Sequence, residues 1–298
     1  MEVSAPERRL IYSMLRSVVF VVLWTLTHSV DAAAAPVGTP CDGEIVRFRR
    51  NYTAFAEHTI GALKRARIGD RLSLVKGGLP CAASDRGLWL EFGVFTGTSI
   101  QIIAKFRRDH SSLGEAARVH GFDSFRGLPE SWRGVYRPAG GSGVRLAASL
   151  ERGNFALGGQ PPQLGAHVSS YIEWVVGWYN ESLPQFLQQH PDEKVTFLHL
   201  DADLYSSTKT IFDLLTPRIE IGTVLVFDEL YNYPEYQQHE LLAFWEFLRD
   251  NRQYSAKLVS TATRQIHSRP RVENFIQSCA FVLVPSDHGS ARGRVSFI

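Results

Sequence analysis

The sequence predicts an α/β protein with a doubly wound, mostly parallel, seven-stranded Rossmann-like sheet and helices on both faces. Two observations carry that expectation. From residue 88 onward, short apolar runs rich in β-branched and aromatic residues alternate with stretches of helical spacing. Such runs read as strands buried on both faces of a parallel sheet. Acidic residues also stand where several runs stop: Asp123, Asp201, Asp203, Asp228 and Glu229. Parallel strands joined by crossover helices end on one edge, and open α/β sheets bind their ligands there.

The elements follow in order. Residues 44–67 read as a covering helix, because Phe48, Tyr52 and Phe55 recur at helical spacing with basic residues between. Strand 88–94 leads into helix 98–108, whose inner face is Ile100, Ile103, Ala104 and Phe106. Strand 119–122 ends at Asp123. Segment 126–167 is rich in Gly and Pro; a loop of that length inside a domain is usually functional, often a lid. Strand 171–176 precedes helix 183–189, with Pro184 placed in its first turn. Strands 195–200 and 223–227 flank helix 206–215. Helix 236–251 has a strongly apolar face, and strands 254–260 and 279–284 complete the sheet.

The chain of 298 residues suits one large domain with a small extension. Its organisation reads as 1–36, a signal- or anchor-like segment; 37–87, a helical extension; and 88–298, the α/β domain. Net charge is +2, from 32 basic and 30 acidic residues, so no strong field for nucleic acid exists. Cys41, Cys81 and Cys279 lack metal-ligand spacing. A Cys41–Cys81 bridge would need an oxidising compartment, while Cys279 reads as a small core residue. Arg8, Arg9 and Arg16 precede an uncharged stretch, 17–30, and then the run Ala32-Ala33-Ala34-Ala35-Pro36. A cleaved secretory signal, a membrane anchor and an upstream extension all fit that pattern. Asn51-Tyr52-Thr53 and Asn180-Glu181-Ser182 are glycosylation sequons, too short to decide among the three.

Glu91-Phe92-Gly93-Val94-Phe95-Thr96-Gly97 spans the first strand-to-helix turn, and Thr98 opens the helix. Gly93 and Gly97 let backbone approach a ligand, and the helix N-terminus favours an anion. The spacing departs from the dinucleotide pattern G-x-G-x-x-G. It fits a nucleoside carrying an amino-acid tail, which is S-adenosylmethionine, with Glu91 facing the ammonium. The alternative is a plain turn. Asp123, closing the second strand, is placed to accept from both ribose hydroxyls; its other role would be a cap. Trp178 stands where the adenine would lie, to stack on it or simply to pack. Asp201, Asp203, Asp228 and Glu229 converge at one edge, where crowded carboxylates need a cation or a proton. His199 reads as a core histidine and His239 as solvated. Phe244, Trp245, Phe247 and Leu248 read as core or as a face for a second copy.

Several motifs together resemble the macrocin O-methyltransferase family, a class I methyltransferase group acting largely on sugar hydroxyls. They are Gly121-Phe122-Asp123-Ser124-Phe125-Arg126-Gly127-Leu128-Pro129-Glu130, Val176-Gly177-Trp178-Tyr179 with Ser182-Leu183-Pro184, His199-Leu200-Asp201-Ala202-Asp203-Leu204-Tyr205, and Gly222-Thr223-Val224-Leu225-Val226-Phe227-Asp228-Glu229. The likeness spans 89–284. It implies S-adenosylmethionine, a bound Mg²⁺ and a small-molecule acceptor with a sugar or natural-product hydroxyl. Asp201 and Asp203 match the family's D-x-D segment, and Asp228 and Glu229 its second acidic pair. Sugar-modifying members carry Asp where Glu229 stands, and segment 140–159 is individual to this chain. On this reading Asp201, Asp228 and Glu229 hold Mg²⁺, and Asp203 is the general base. Two rivals remain at this stage: a metal-dependent nucleotide-sugar glycosyltransferase using Asp201-Ala202-Asp203, and a non-catalytic binding protein on the same fold.

Overall fold

A computed structural model describes residues 43–66, 68–69, 86–132, 150–233, 235–264 and 275–286. The strands among them are β1 Ile45–Val46, β2 Ile68–Gly69, β3 Leu88–Phe92, β4 Val119–Asp123, β5 Ile172–Val176, β6 Val195–Leu200, β7 Ile219–Phe227, β8 Tyr254–Arg264 and β9 Phe275–Pro285. The helices are α1 Tyr52–Arg65, α2 Thr98–His110, α3 Ala166–Ser169, α4 Tyr179–Gln189, α5 Tyr205–Leu215 and α6 Glu240–Asp250. Strand order is β1-β8-β9-β7-β6-β3-β4-β5, with β2 pairing β8. The pairs from β7 through β5 are parallel, and β9 lies antiparallel between β7 and β8. All seven expected strands are present as β3 to β9.

The sheet separates two apolar layers. On one face, α1, α4, α5 and α6 bury Phe55, Leu183, Phe212 and Phe244 against Phe92, Leu200 and Phe227 of the strands. On the other, Ile100, Ile103, Ala104 and Phe106 of α2 pack with Trp89, Phe197 and Val226. Each fully buried side chain of this size contributes about 1.5–3 kcal/mol of transfer free energy. Cys279 is a buried free thiol in this core, while Cys41 and Cys81 lie outside the described residues.

Three expectations change. Residues 44–67 are not one helix: Ile45–Val46 pairs antiparallel with β8. Helix α1 begins only at Tyr52, because the Asn51 side chain accepts from Ala54 N–H at 3.2 Å and caps it. Helix α4 begins at Tyr179, so Pro184 lies past its first turn. There the missing N–H deprives only the carbonyl of Asn180, an exposed residue that water can satisfy. The expected helix 236–251 is a 3₁₀ turn, Tyr236–Gln238, followed by α6; the non-helical His239, at φ −112° and ψ −129°, separates them.

The apolar stripe of α6 is core. Phe244, Phe247 and Leu248 are buried, and Trp245 faces α1. The Trp245 indole donates to the Arg49 carbonyl at 2.8 Å and stacks on Phe48 at 5.9 Å. No helix of the described residues is long and apolar enough to cross a membrane. The signal- or anchor-like segment 1–36 lies outside them.

Candidate active site

A cavity of about 740 Å³ opens at the carboxyl ends of β3, β4, β5, β6 and β7. Its floor on one side is the β3–α2 turn. Gly93 has φ +89°, and a Cβ there would come within 1.7 Å of the Asp201 carbonyl oxygen. Only glycine lets this turn lie against the end of β6. Gly97, at φ +79°, caps α2, and its N–H donates to the Val94 carbonyl at 2.9 Å. The first turn of α2 holds no acidic residue, so its N–H groups keep their preference for an anion. Thr98 and Ser99 line the cavity just inside that turn.

Asp123 organises the loop. Its Oδ2 accepts from Val94 N–H and Phe95 N–H, each at 2.9 Å, and its Oδ1 accepts from Phe125 N–H at 2.7 Å. The carboxylate also lines the cavity, so one side chain both shapes the cradle and faces a ligand. Trp178, half-buried at the N-terminus of α4, lines the cavity as well.

Glu91 requires a correction. Strand alternation carries its side chain beneath the turn, where it is fully buried and absent from the cavity wall. It accepts from the Ser99 hydroxyl and lies 3.5 Å from His199 Nδ1. A direct contact with a ligand ammonium therefore does not follow from this geometry; Ser99, which sequence reasoning missed, stands between. The second oxygen of Glu91 has no hydrogen-bond partner among the described residues, an unsatisfied acceptor just under the cradle. The glycine cradle and the anion-favouring helix end fit a ligand with a carboxylate.

The acidic residues are sorted in a way the sequence did not indicate. One oxygen each of Asp201, Asp203 and Glu229 lie within 4.8 Å of one another. Asp228 lines the same cavity but is engaged behind it, receiving the Ser278 hydroxyl at 3.4 Å on Oδ1 and at 2.6 Å on its carbonyl. The compact trio thus includes Asp203 in place of Asp228. Three hard oxygen donors so close fit Mg²⁺. Asp203 has φ +59°, an uncommon conformation for an aspartate. Burial raises its carboxyl pKa well above the usual range, with Asp201, Glu240 and Asp228 adding repulsion and a hydrogen bond from Glu229 opposing. Glu240, behind the trio, is pushed by burial up to about 8 while accepting from the Thr208 hydroxyl at 3.2 Å.

His199 is buried in β6, as a core histidine should be. His239 is not solvated: its two ring nitrogens are buried, its ring packs beside Trp132 and Tyr233, and burial lowers its pKa. Trp132 and Tyr233 were also missed by sequence reasoning, since nothing local distinguishes them from core aromatics.

A mostly parallel sheet ordered in this way, with a glycine turn after β3 facing an acidic residue after β4, is a Rossmann-like fold. Residues 90–230 match the family described as a methyltransferase domain. That match covers just under half of the chain and marks residues 90–230 as similar to a methyltransferase domain. Two relatives from Streptomyces are similar over part of their length. The 8-demethyl-8-(2,3-dimethoxy-alpha-L-rhamnosyl)-tetracenomycin-C 4'-O-methyltransferase of Streptomyces olivaceus is 28% identical over 146 residues, covering 47% of this chain and 51% of that protein. The demethyldecarbamoylnovobiocin O-methyltransferase of Streptomyces niveus is 25% identical over the same length, again covering 47% and 51%. The chain spans about half the length of these curated relatives. Among solved structures, a calicheamicin methyltransferase is similar at a TM-score of 0.49 and 19% identity, covering 85% of this chain and 99% of that one.

Proposed function

We propose that this protein transfers the methyl group of S-adenosylmethionine to a hydroxyl of a sugar-type small molecule, assisted by Mg²⁺. The observation that carries the reading is that one cavity holds both the glycine cradle and the Asp201–Asp203–Glu229 trio. The names of the Streptomyces relatives, both O-methyltransferases of natural products and one of them of a rhamnosyl group, support the acceptor class.

The residues divide the work. The N-terminal turn of α2 and Ser99, backed by Glu91, receive the amino-acid end of the cofactor. Asp123 holds the Val94–Phe95 backbone in place and faces the ribose. Methyl transfer from a sulfonium is an in-line displacement, so this fixed placement supplies much of the rate. Asp201 and Glu229 hold the cation with Asp203 beside them. Mg²⁺ held there would supply Lewis-acid chemistry, orienting the acceptor's oxygens and lowering the pKa of its hydroxyl. Asp203, beside Asp201 and Glu229, would accept the hydroxyl proton as the general base.

Calorimetric titration tests the reading. S-adenosylhomocysteine should bind, and Mg²⁺ should bind in a manner that Asp201→Asn weakens. Binding of a nucleotide-diphosphate sugar in place of S-adenosylhomocysteine would overturn methyl transfer and favour glycosyl transfer. Full methyl-transfer activity in excess chelator would remove the cation from the mechanism.

A further inference from the structure

Two phenylalanines on the cavity wall are both exposed and both strained. Phe95 and Phe155 line the cavity with 39% and 40% of their surface exposed. Each holds left-handed backbone, at φ +47° and +69°, an outlier for a bulky residue. Strain of this kind persists where the surrounding structure enforces it, and it gathers at ligand sites. Here one carboxylate enforces it. Asp123 Oδ2 accepts from Phe95 N–H at 2.9 Å, and its Oδ1 accepts from Phe125 N–H at 2.7 Å. The Phe125 carbonyl in turn accepts from Leu157 N–H at 2.9 Å and Gly159 N–H at 2.8 Å, which ties down the segment carrying Phe155. The two rings meet edge to face, with centroids 5.3 Å apart and planes at 68°.

We infer that Phe95 and Phe155 form an aromatic seat for the sulfonium of S-adenosylmethionine, attracting the charged cofactor but not the neutral thioether left after transfer. The inference rests on the methyl-transfer reading above. The cofactor's own bonding fixes the place, because its sulfur joins the amino-acid chain to the ribose. On that reading the amino-acid end lies at the N-terminus of α2 and the ribose faces Asp123. Phe95 stands between them, two residues before the Gly97 cap and bonded to Asp123 through its own N–H. Its ring therefore borders the path of the sulfur, and Phe155 braces that ring from the side. An aromatic face attracts a cation through its quadrupole, most strongly where water is excluded. It also offers no lone pair to a reactive methyl, whereas a carboxylate held there would compete for it. Transfer breaks the S–CH₃ bond with the electron pair staying on sulfur, forms the O–CH₃ bond and passes the hydroxyl proton to the base. Sulfur ends neutral, so the attraction ends with the reaction and the product loses that hold.

The test is calorimetric binding of S-adenosylmethionine and S-adenosylhomocysteine to the full chain. Wild type is set beside Phe95→Leu, Phe155→Leu and a protein with pentafluorophenylalanine placed at residue 95. Leucine stays apolar but has no ring face, and fluorination keeps the ring while inverting its quadrupole. Both changes at residue 95 should weaken S-adenosylmethionine roughly 3- to 30-fold, the range of a cation–π contact. Phe155→Leu should weaken it in the same selective way. S-adenosylhomocysteine affinity and melting temperature should stay as in the wild type. Equal weakening of both ligands would give the rings a packing role only and overturn the seat, as would unchanged S-adenosylmethionine binding. A loss in Phe95→Leu that fluorination does not reproduce overturns the cation–π contact, and one that Phe155→Leu does not share overturns the pairing. If wild-type protein fails to bind S-adenosylhomocysteine, the methyl-transfer reading itself falls.

Discussion

Replacing Gly93 with alanine should damage the cofactor cradle and the acidic trio together, because one backbone contact positions both. The added Cβ would stand 1.7 Å from the Asp201 carbonyl oxygen, so the turn or the end of β6 must move by more than an ångström. Two backbone hydrogen bonds fix that junction: Gly93 N–H to the Phe122 carbonyl at 3.0 Å and Asp201 N–H to the Phe92 carbonyl at 2.9 Å. Losing both costs about 1–3 kcal/mol. Holding alanine at the left-handed φ of +89° costs about 1–2 kcal/mol more. The expected destabilisation is about 3–4 kcal/mol, measured by urea unfolding with an unchanged m-value. Calorimetry should show S-adenosylhomocysteine affinity down at least tenfold and Mg²⁺ binding weakened in the same variant. A folded Gly93→Ala protein with wild-type affinity for both would refute the shared junction.

Three further perturbations read other parts of the structure. Asp203→Asn should cut turnover by about 10²–10⁴-fold with S-adenosylhomocysteine affinity unchanged, the worth of a positioned base; a defect cured by raising Mg²⁺ would make Asp203 a ligand only. Glu240, at about 8 when folded against 4.5 as its ordinary value, stays protonated in the fold where the unfolded chain has lost its proton. Stability should therefore fall as pH rises from about 4.5 to 8, by up to about 1.4 kcal/mol per pH unit, and Glu240→Gln should flatten that slope in denaturant titrations; an unchanged slope sinks the assignment. Trp245→Ala removes the indole bond to Arg49 and the packing on Phe48 and Tyr52, and should cost about 2–4 kcal/mol in thermal unfolding without altering S-adenosylhomocysteine affinity.

The sheet was legible because burial on both faces forces long apolar runs, and those runs survive in the sequence as β3 to β9. Helix boundaries were less so. The start of α1 depends on the Asn51 side chain turning back to Ala54, and the break before α6 on the non-helical backbone of His239, single-residue events that periodicity does not register. The site divides in the same way. The glycine turn, Asp123 and the acidic positions are visible because each sits at a strand end. Their division of labour is not, and the reason is physical. Strand alternation sends Glu91 under the turn instead of into the cavity. Asp203 lies beyond β6 at φ +59°, so the alternation expected for an extended segment does not govern where it points. Asp228 is drawn back by the hydroxyl of Ser278, fifty positions away in the chain.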